Sequence, residues 1–358
     1  MSIPLRLSAD DLASGSVKWK SPSNIAIVKY WGKHGVQLPR NPSISFTLAT
    51  AHTKTQVDYA RKDDDGTVTL DFLFEGAANE AFAAKIRTFL TSLLPTMPYL
   101  GQIHLRIEST NSFPHSSGIA SSASAMSALA LCICSIEHDL FQTLPTAEAY
   151  LQKASNIARL GSGSAARSVI PQLGVWGQHS AVEQSSDLHA VGVDGVHEDF
   201  LTYHDDILII SAGEKPVSSR AGHALMEGNP YAAVRYSQAA DRLAETIAIM
   251  RDGDLHAFGK LAEDEAMTLH ALMMCSDPSY VLMQPQTLAA IEDIRNYRQE
   301  TGHPVYFTLD AGPNIHLLYP DAVRQEVQTF VSDRLKKYCQ DGRIIKDMVG
   351  MGPEKLKL

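Results

Sequence analysis

Short apolar runs at residues 25–28 and 44–48, separated by a polar loop with Pro39 and Pro42, predict two strands. Residues 53–60 and 67–74 alternate weakly and bracket Lys62-Asp63-Asp64-Asp65-Gly66, which predicts a β-hairpin. Phe82, Ile86, Phe89, Leu90 and Leu93 fall at helical spacing, predicting an amphipathic helix over 81–94. Ile103, Leu105 and Ile107 alternate as a strand, and a long apolar run follows that ends near His138. Tyr150, Ala154, Ile157 and Ala158 then carry the helical period through 147–160. This half reads as a β-rich sheet with helices on one side.

Residues 181–206 are polar and acidic with no sustained period, and a domain boundary near their end gives units 1–203 and 204–358. Beyond it, 207–212 reads as a buried strand, followed by helical patterns over 231–252, 255–274 and 287–300. Strands at 305–309 and 314–318, a helix over 322–338 and a strand candidate at 344–349 complete an α+β chain.

A length of 358 residues also favours two domains. The net charge of −9 argues against a nucleic acid or an anionic membrane as the main partner, so an anionic substrate needs a locally basic pocket. The apolar stretch 123–136 is too short to span a bilayer and carries Ser and Cys. The start has no basic region followed by an apolar core of signal length, which points to a cytoplasmic protein. Cys132, Cys134, Cys275 and Cys339 are irregularly spaced and read as reduced, buried thiols.

Four segments carry candidate chemistry. Pro114-His115-Ser116-Ser117-Gly118-Ile119-Ala120-Ser121-Ser122-Ala123 lies between a strand and a helix, where free N–H groups and the helix dipole suit phosphate; the same residues also suit a plain N-cap. Asn24-Ile25-Ala26-Ile27-Val28-Lys29-Tyr30-Trp31-Gly32-Lys33 suits an anion site, or a strand exit with solvated lysines and packed aromatics. Arg159-Leu160-Gly161-Ser162-Gly163-Ser164-Ala165-Ala166-Arg167 offers a ligand close backbone approach and a planar guanidinium, or is a flexible connector with a surface Arg. Asp310-Ala311-Gly312-Pro313-Asn314 is, by itself, a good turn.

Together these segments resemble a known family in the right order, from Ser21 to Asn314. Pro-x-x-x-Gly-x-x-Ser-Ser-Ala resembles the phosphate loop of the GHMP kinase superfamily. The Lys-Tyr-Trp-Gly-Lys, Gly-Ser-Gly-Ser-Ala-x-Arg-Ser and Thr-x-Asp-Ala-Gly-Pro-Asn segments resemble the mevalonate diphosphate decarboxylases. Val349-Gly350-Met351-Gly352-Pro353 is similar to that family's glycine-rich C-terminal strand exit.

The resemblance implies a two-domain GHMP kinase fold, with an N-terminal ribosomal-protein-S5-like domain, a ferredoxin-like C-terminal domain and the site in the cleft between them. It implies ATP and Mg²⁺ as cofactors, a phosphorylated small-molecule substrate, and a family in which homodimers are frequent. ATP would be held by Pro114, Ser116, Ser117, Gly118, Ala120, Ser121 and Ser122, with Ser122 as the suggested metal ligand. Asp310 would accept the tertiary hydroxyl proton, with Arg167 and Lys29 as further catalytic groups. Asn24, Tyr30, Lys33, Ser162, Ser164 and Arg167 would hold the substrate.

Three departures stand out: Ala166 where Cys is usual, His115-Ser116-Ser117 where Thr-Ala-Ala is frequent, and Asn229-Pro230 where a Ser is usual. The last two put the exact substrate in question, so a decarboxylase of a differently phosphorylated mevalonate, or a mevalonate kinase, stands beside the leading reading. A non-catalytic nucleotide-binding or metabolite-binding protein on the same fold is the answer from another class.

Overall fold

The computed structural model describes residues 5–8, 13–113, 121–213 and 217–358. The chain begins with β1 (Ser14–Val28), the small ribbon of β2 (Lys33–His34) and β3 (Leu38–Pro39), and the long β4 (Ser43–Arg61). β5 (Thr69–Phe74), β6 (Ala77–Ala78), α1 (Glu80–Leu93) and β7 (Ile103–Asn111) follow. Next come α2 (Ser121–Phe141), α3 (Ala147–Gly161), the single turn α4 (Ala165–Ser168), β8 (Leu173–Trp176) and β9 (Val191–Gly192).

The second half opens with β10 (His204–Leu208) and the short α5 (Ser219–Ala224), then α6 (Ala232–Asp252), α7 (Leu255–Met274) and α8 (Pro285–Thr301). It closes with β11 (Tyr306–Leu309), β12 (Ile315–Tyr319), α9 (Arg324–Phe330), β13 (Ile344–Ile345) and β14 (Glu354–Lys355). Polar side chains set the helix starts: Asn79 accepts the Phe82 N–H, Thr146 the Ala149 N–H, and Asp254 the His256 and Ala257 N–H groups. Gly253 and Gly302, both left-handed, end α6 and α8.

The first sheet runs β14-β1-β4-β7-β5-β6, with β8 and β9 attached to β4; the second runs β11-β12-β10-β13 and is antiparallel. The expected hairpin between β4 and β5 does not form. β7 pairs with both, antiparallel to β4 and parallel to β5, so the acidic loop at 62–66 is a crossover between strands that never touch. Alternation predicts a strand but not its partner.

Helices cover one face of the first sheet, where Val57, Tyr59, Leu105 and Ile107 meet α1 to α3. The other end of the same sheet, through Ile25, Ile27, Phe46 and Leu48, shares a core with Phe200, Tyr203, Ile207, Leu243 and Phe258. Helices α6 and α7 thereby lie against the end of β1, and a covering on one side only holds for just part of the sheet. The last residues return to the first sheet through the β1–β14 pair.

Helix α2 is 21 residues, longer than its apolar stretch, and by length and composition alone is long and apolar enough to cross a membrane. It is a core helix: Ser127, Ser124 and Ser135 bond Ser21, Thr53 and Trp19 of the sheet beneath it. Cys132 and Cys134 are buried on it and Cys339 is buried elsewhere, but Cys275 is exposed just past α7, contrary to the expectation of four buried thiols. The helix expected over 322–338 loses regularity after Phe330, passing through a wide turn and a tight one, and little of 344–349 pairs as strand.

Candidate active site

Lys29 follows the last residue of β1 and is 1% exposed. Its Nζ lies 3.3 Å from Asp310 Oδ1, at the end of β11, where 28% of the carboxylate side chain remains open. The aspartate turn is fastened: the Gly312 N–H donates to the Asp310 carbonyl, the Thr287 hydroxyl to the Pro313 carbonyl, and Asn314 exchanges two hydrogen bonds with the Ser211 backbone. Burial pulls the Lys29 pKa down, and Asp310 is the main group opposing it. A strand exit with solvated lysines is therefore not what Lys29 makes.

Arg167 on α4 is 2% exposed, which rules out the connector with a surface arginine. Its Nε and one Nη donate to the Ser45 and Ser43 hydroxyls of β4 at 3.0 and 2.6 Å, and the other Nη reaches Asn24 Oδ1 at 3.4 Å. Asn24 Nδ2 donates in turn to the Ser164 carbonyl and the Ser168 hydroxyl, so Asn24 braces Arg167 from behind. Burial pushes Arg167 down to about 10, opposed first by Asp310 and then by Tyr30, so the guanidinium stays charged at neutral pH. Asp310 and Arg167 come from different halves of the chain, and the aspartate is the first charge that opposes the effect of burial on Arg167.

Tyr30, Trp31, Trp176 and His223 form an aromatic wall beside Arg167. The Tyr30 ring meets Trp176 edge-on at 4.7 Å and His223 at 4.3 Å, and Trp31 meets His223 at 4.5 Å. The Gly32 N–H donates to His223 Nδ1, so the neutral ring carries its proton on Nε2. Burial, then Lys33 and Arg167, push His223 down to about 3. Lys33 is itself lowered by burial and by Arg220, and its Nζ donates to Gln37. These mutual repulsions mark a locally basic region in a chain of net charge −9, as an anionic substrate requires.

The glycine-serine bend lies against this wall. A Cβ on Gly163 would sit 2.7 Å from the Tyr30 hydroxyl and 2.9 Å from Trp176, so only glycine lets the bend approach. Ser162 Oγ stands 3.2 Å from Ser122 Oγ in the first turn of α2, which joins the bend to the helix mouth. Pro114, Ser116, Ser117, Gly118 and Ala120 lie outside the described residues. Among the described residues no group of three or more His, Cys, Asp or Glu could hold a metal. The exposed Ser122 hydroxyl nevertheless suits Mg²⁺, which takes few protein ligands alongside phosphate oxygens and water.

Several residues at this site carry no motif. Glu265 accepts the Lys29 N–H at 2.8 Å and is held by Arg235 and Arg242, while His270 meets the Asp310 carbonyl. Their sequence signal is a charge within an otherwise apolar helix face. Asn229, where the resembled family has Ser, is buried and bonds the Leu272 carbonyl and Tyr231 N–H.

A family model of the diphosphomevalonate decarboxylase-like N-terminal domain matches residues 21–187, and one of the mevalonate 5-diphosphate decarboxylase C-terminal domain matches 206–354. The chain is 31% identical over 315 residues to the diphosphomevalonate decarboxylase of Schizosaccharomyces pombe, covering 82% of this chain and 76% of that one. It is 28% identical to the phosphomevalonate decarboxylase of Haloferax volcanii, covering 91% and 92%. A complex of MDDEF with MVAPP, AMPPCP and magnesium superposes with a TM-score of 0.81 at 27% identity, covering 97% of this chain and all of the other.

Proposed function

The chain belongs to the diphosphomevalonate decarboxylase family, and we propose that it converts mevalonate 5-diphosphate and ATP to isopentenyl diphosphate, ADP, phosphate and carbon dioxide. The observation that carries the reading is the 3.3 Å contact of buried Lys29 with Asp310, with buried Arg167 held on Asn24 of the strand that Lys29 follows. Hydroxide is a poor leaving group, so the tertiary hydroxyl must be phosphorylated before the adjacent carboxylate can depart.

Asp310 takes the hydroxyl proton as the oxygen attacks the γ-phosphorus of ATP and the bond to the β,γ-bridging oxygen breaks with ADP leaving, and Lys29 orients the Asp310 carboxylate. Ser122 would help to hold Mg²⁺, which would supply charge neutralisation during the transfer. The carbon–oxygen bond then breaks with phosphate leaving, and the electrons of the bond to the carboxylate form the new double bond as carbon dioxide departs. Arg167 holds the substrate carboxylate or diphosphate, braced by Asn24, until that point. Tyr30 and Lys33 line the diphosphate end, and Ser162 and Ser164 bond nearby; the backbone N–H groups of Ser116, Ser117, Gly118, Ala120, Ser121 and Ser122 take the ATP phosphates, in the segment that Pro114, itself without an N–H, opens.

The same reading divides the chain at 203/204 and assigns it to the cytoplasm, with the homodimer common in such enzymes. Likeness to the Haloferax volcanii enzyme over nearly its whole length favours one second reading, decarboxylation of mevalonate 5-phosphate. Assaying mevalonate, its 5-phosphate and its 5-diphosphate side by side for ADP and carbon dioxide tests the choice. Preference for the diphosphate is expected, and a clear preference for the monophosphate overturns it.

A further inference from the structure

Two side chains of α7 reach the backbone on either side of the Lys29–Asp310 pair. Glu265, fully buried, accepts the Lys29 N–H at 2.8 Å. Arg235 of α6 grips the same carboxylate through both Nη atoms, at 2.6 and 2.5 Å, and donates to the Lys29 carbonyl at 3.1 Å. Arg242 adds a contact to Glu265 at 2.7 Å, and Asn41 a second donor to the Lys29 carbonyl at 3.0 Å. Both main-chain polar groups of Lys29 are therefore held by the other half of the chain. Farther along α7, His270 is 1% exposed and its Nε2 lies 3.1 Å from the Asp310 carbonyl. A carbonyl only accepts, so Nε2 carries the proton there.

A buried ion pair is weak as a source of stability, because desolvation offsets its attraction. Here the pair is aimed at the peptide groups of one residue. We propose that α7 is the positioning element of the reaction: Glu265, anchored by Arg235, and His270 are positioning residues that hold Lys29 and Asp310, contributed by the two halves, in register. Neither contacts the reacting atoms. The inference rests on the decarboxylase reading for its kinetic consequence, and on geometry alone for the state of Lys29.

The test compares the full-length protein with Glu265→Gln, His270→Phe and His270→Gln, reading the Lys29 ammonium by NMR of labelled lysine against pH, and kcat and KM with mevalonate 5-diphosphate. The carboxylates acting on Lys29 are Asp310, Glu265 and Asp205. Glu265→Gln is expected to lower the Lys29 titration by about one pH unit or more and kcat by about tenfold to a hundredfold, with KM within about twofold. His270→Phe is expected to do the same to kcat, and His270→Gln, which keeps a donor, to restore most of it. Should Glu265→Gln not fold, the His270 variants decide alone. Folded variants with wild-type Lys29 titration and wild-type kcat overturn the proposal. If the wild type shows no decarboxylation, that failure belongs to the functional reading, and the Lys29 titration still decides the positioning role.

Discussion

Lys29 and Asp310 are 281 residues apart in sequence and 3.3 Å apart in space. One follows the first strand of the first sheet, the other the strand that opens the second sheet's order. The contact joins the candidate segments that the two halves contribute.

Removing the proton acceptor without changing its shape isolates the chemical role. Asp310→Asn is expected to bind ATP normally while losing turnover by about a hundredfold or more. Near-normal steady-state turnover in that variant would take Asp310 out of the mechanism.

Arg167 spreads its donors over Ser43, Ser45 and Asn24, a fork that a lysine cannot reproduce. Arg167→Lys is expected to lower kcat/KM for the decarboxylated substrate by about a hundredfold, on the order of 3 kcal/mol of transition-state binding, with the Kd for ATP unchanged. A loss of ATP affinity of the same size would instead place the guanidinium on the nucleotide side.

The candidate segments were legible in the sequence because each is contiguous and combines a turn with an uncommon polar residue. The three main helices of the second half were equally legible from their apolar period. What escaped was non-local. The weak alternation of residues 67–74 predicts a strand yet cannot say that β7, not β4, is its neighbour. Glu265 and Arg235 lie on ordinary amphipathic helices, and only their partner across the interface shows that each charge is buried and paired. The solvated alternative for Lys29 failed for a related reason, since burial at a strand end depends on α6 and α7, which arrive about 200 residues later in the chain.

The imidazole of His223 gives a pH signature to stability. Its folded pKa, pushed down to about 3, lies below the ordinary 6.5, so between those values the unfolded chain binds a proton that the folded chain refuses. The contribution is complete above pH 6.5 and is lost as pH falls toward 3. The ring keeps part of its surface in solvent, so about 1.4 kcal/mol per pH unit is the ceiling. Thermal unfolding from pH 7 down to 4.5 should show a shallower slope for His223→Gln than for wild type. Equal slopes would mean that the imidazole takes up its proton in the folded protein.

At Gly163 the smallest side chain already meets Tyr30 and Trp176. Gly163→Ala is expected to cost about 1–3 kcal/mol of stability, and to raise KM for the phosphorylated substrate by shifting the Tyr30 hydroxyl. Unchanged KM in a folded variant would show that the wall moves without consequence for binding.

The most direct test of phosphorylation followed by loss of phosphate and carbon dioxide is their stoichiometry. With mevalonate 5-diphosphate, ATP and Mg²⁺, ADP and carbon dioxide are expected to appear together, one for one, from the first turnover. ADP formation without carbon dioxide would mean a kinase that stops at phosphoryl transfer and would contradict the account.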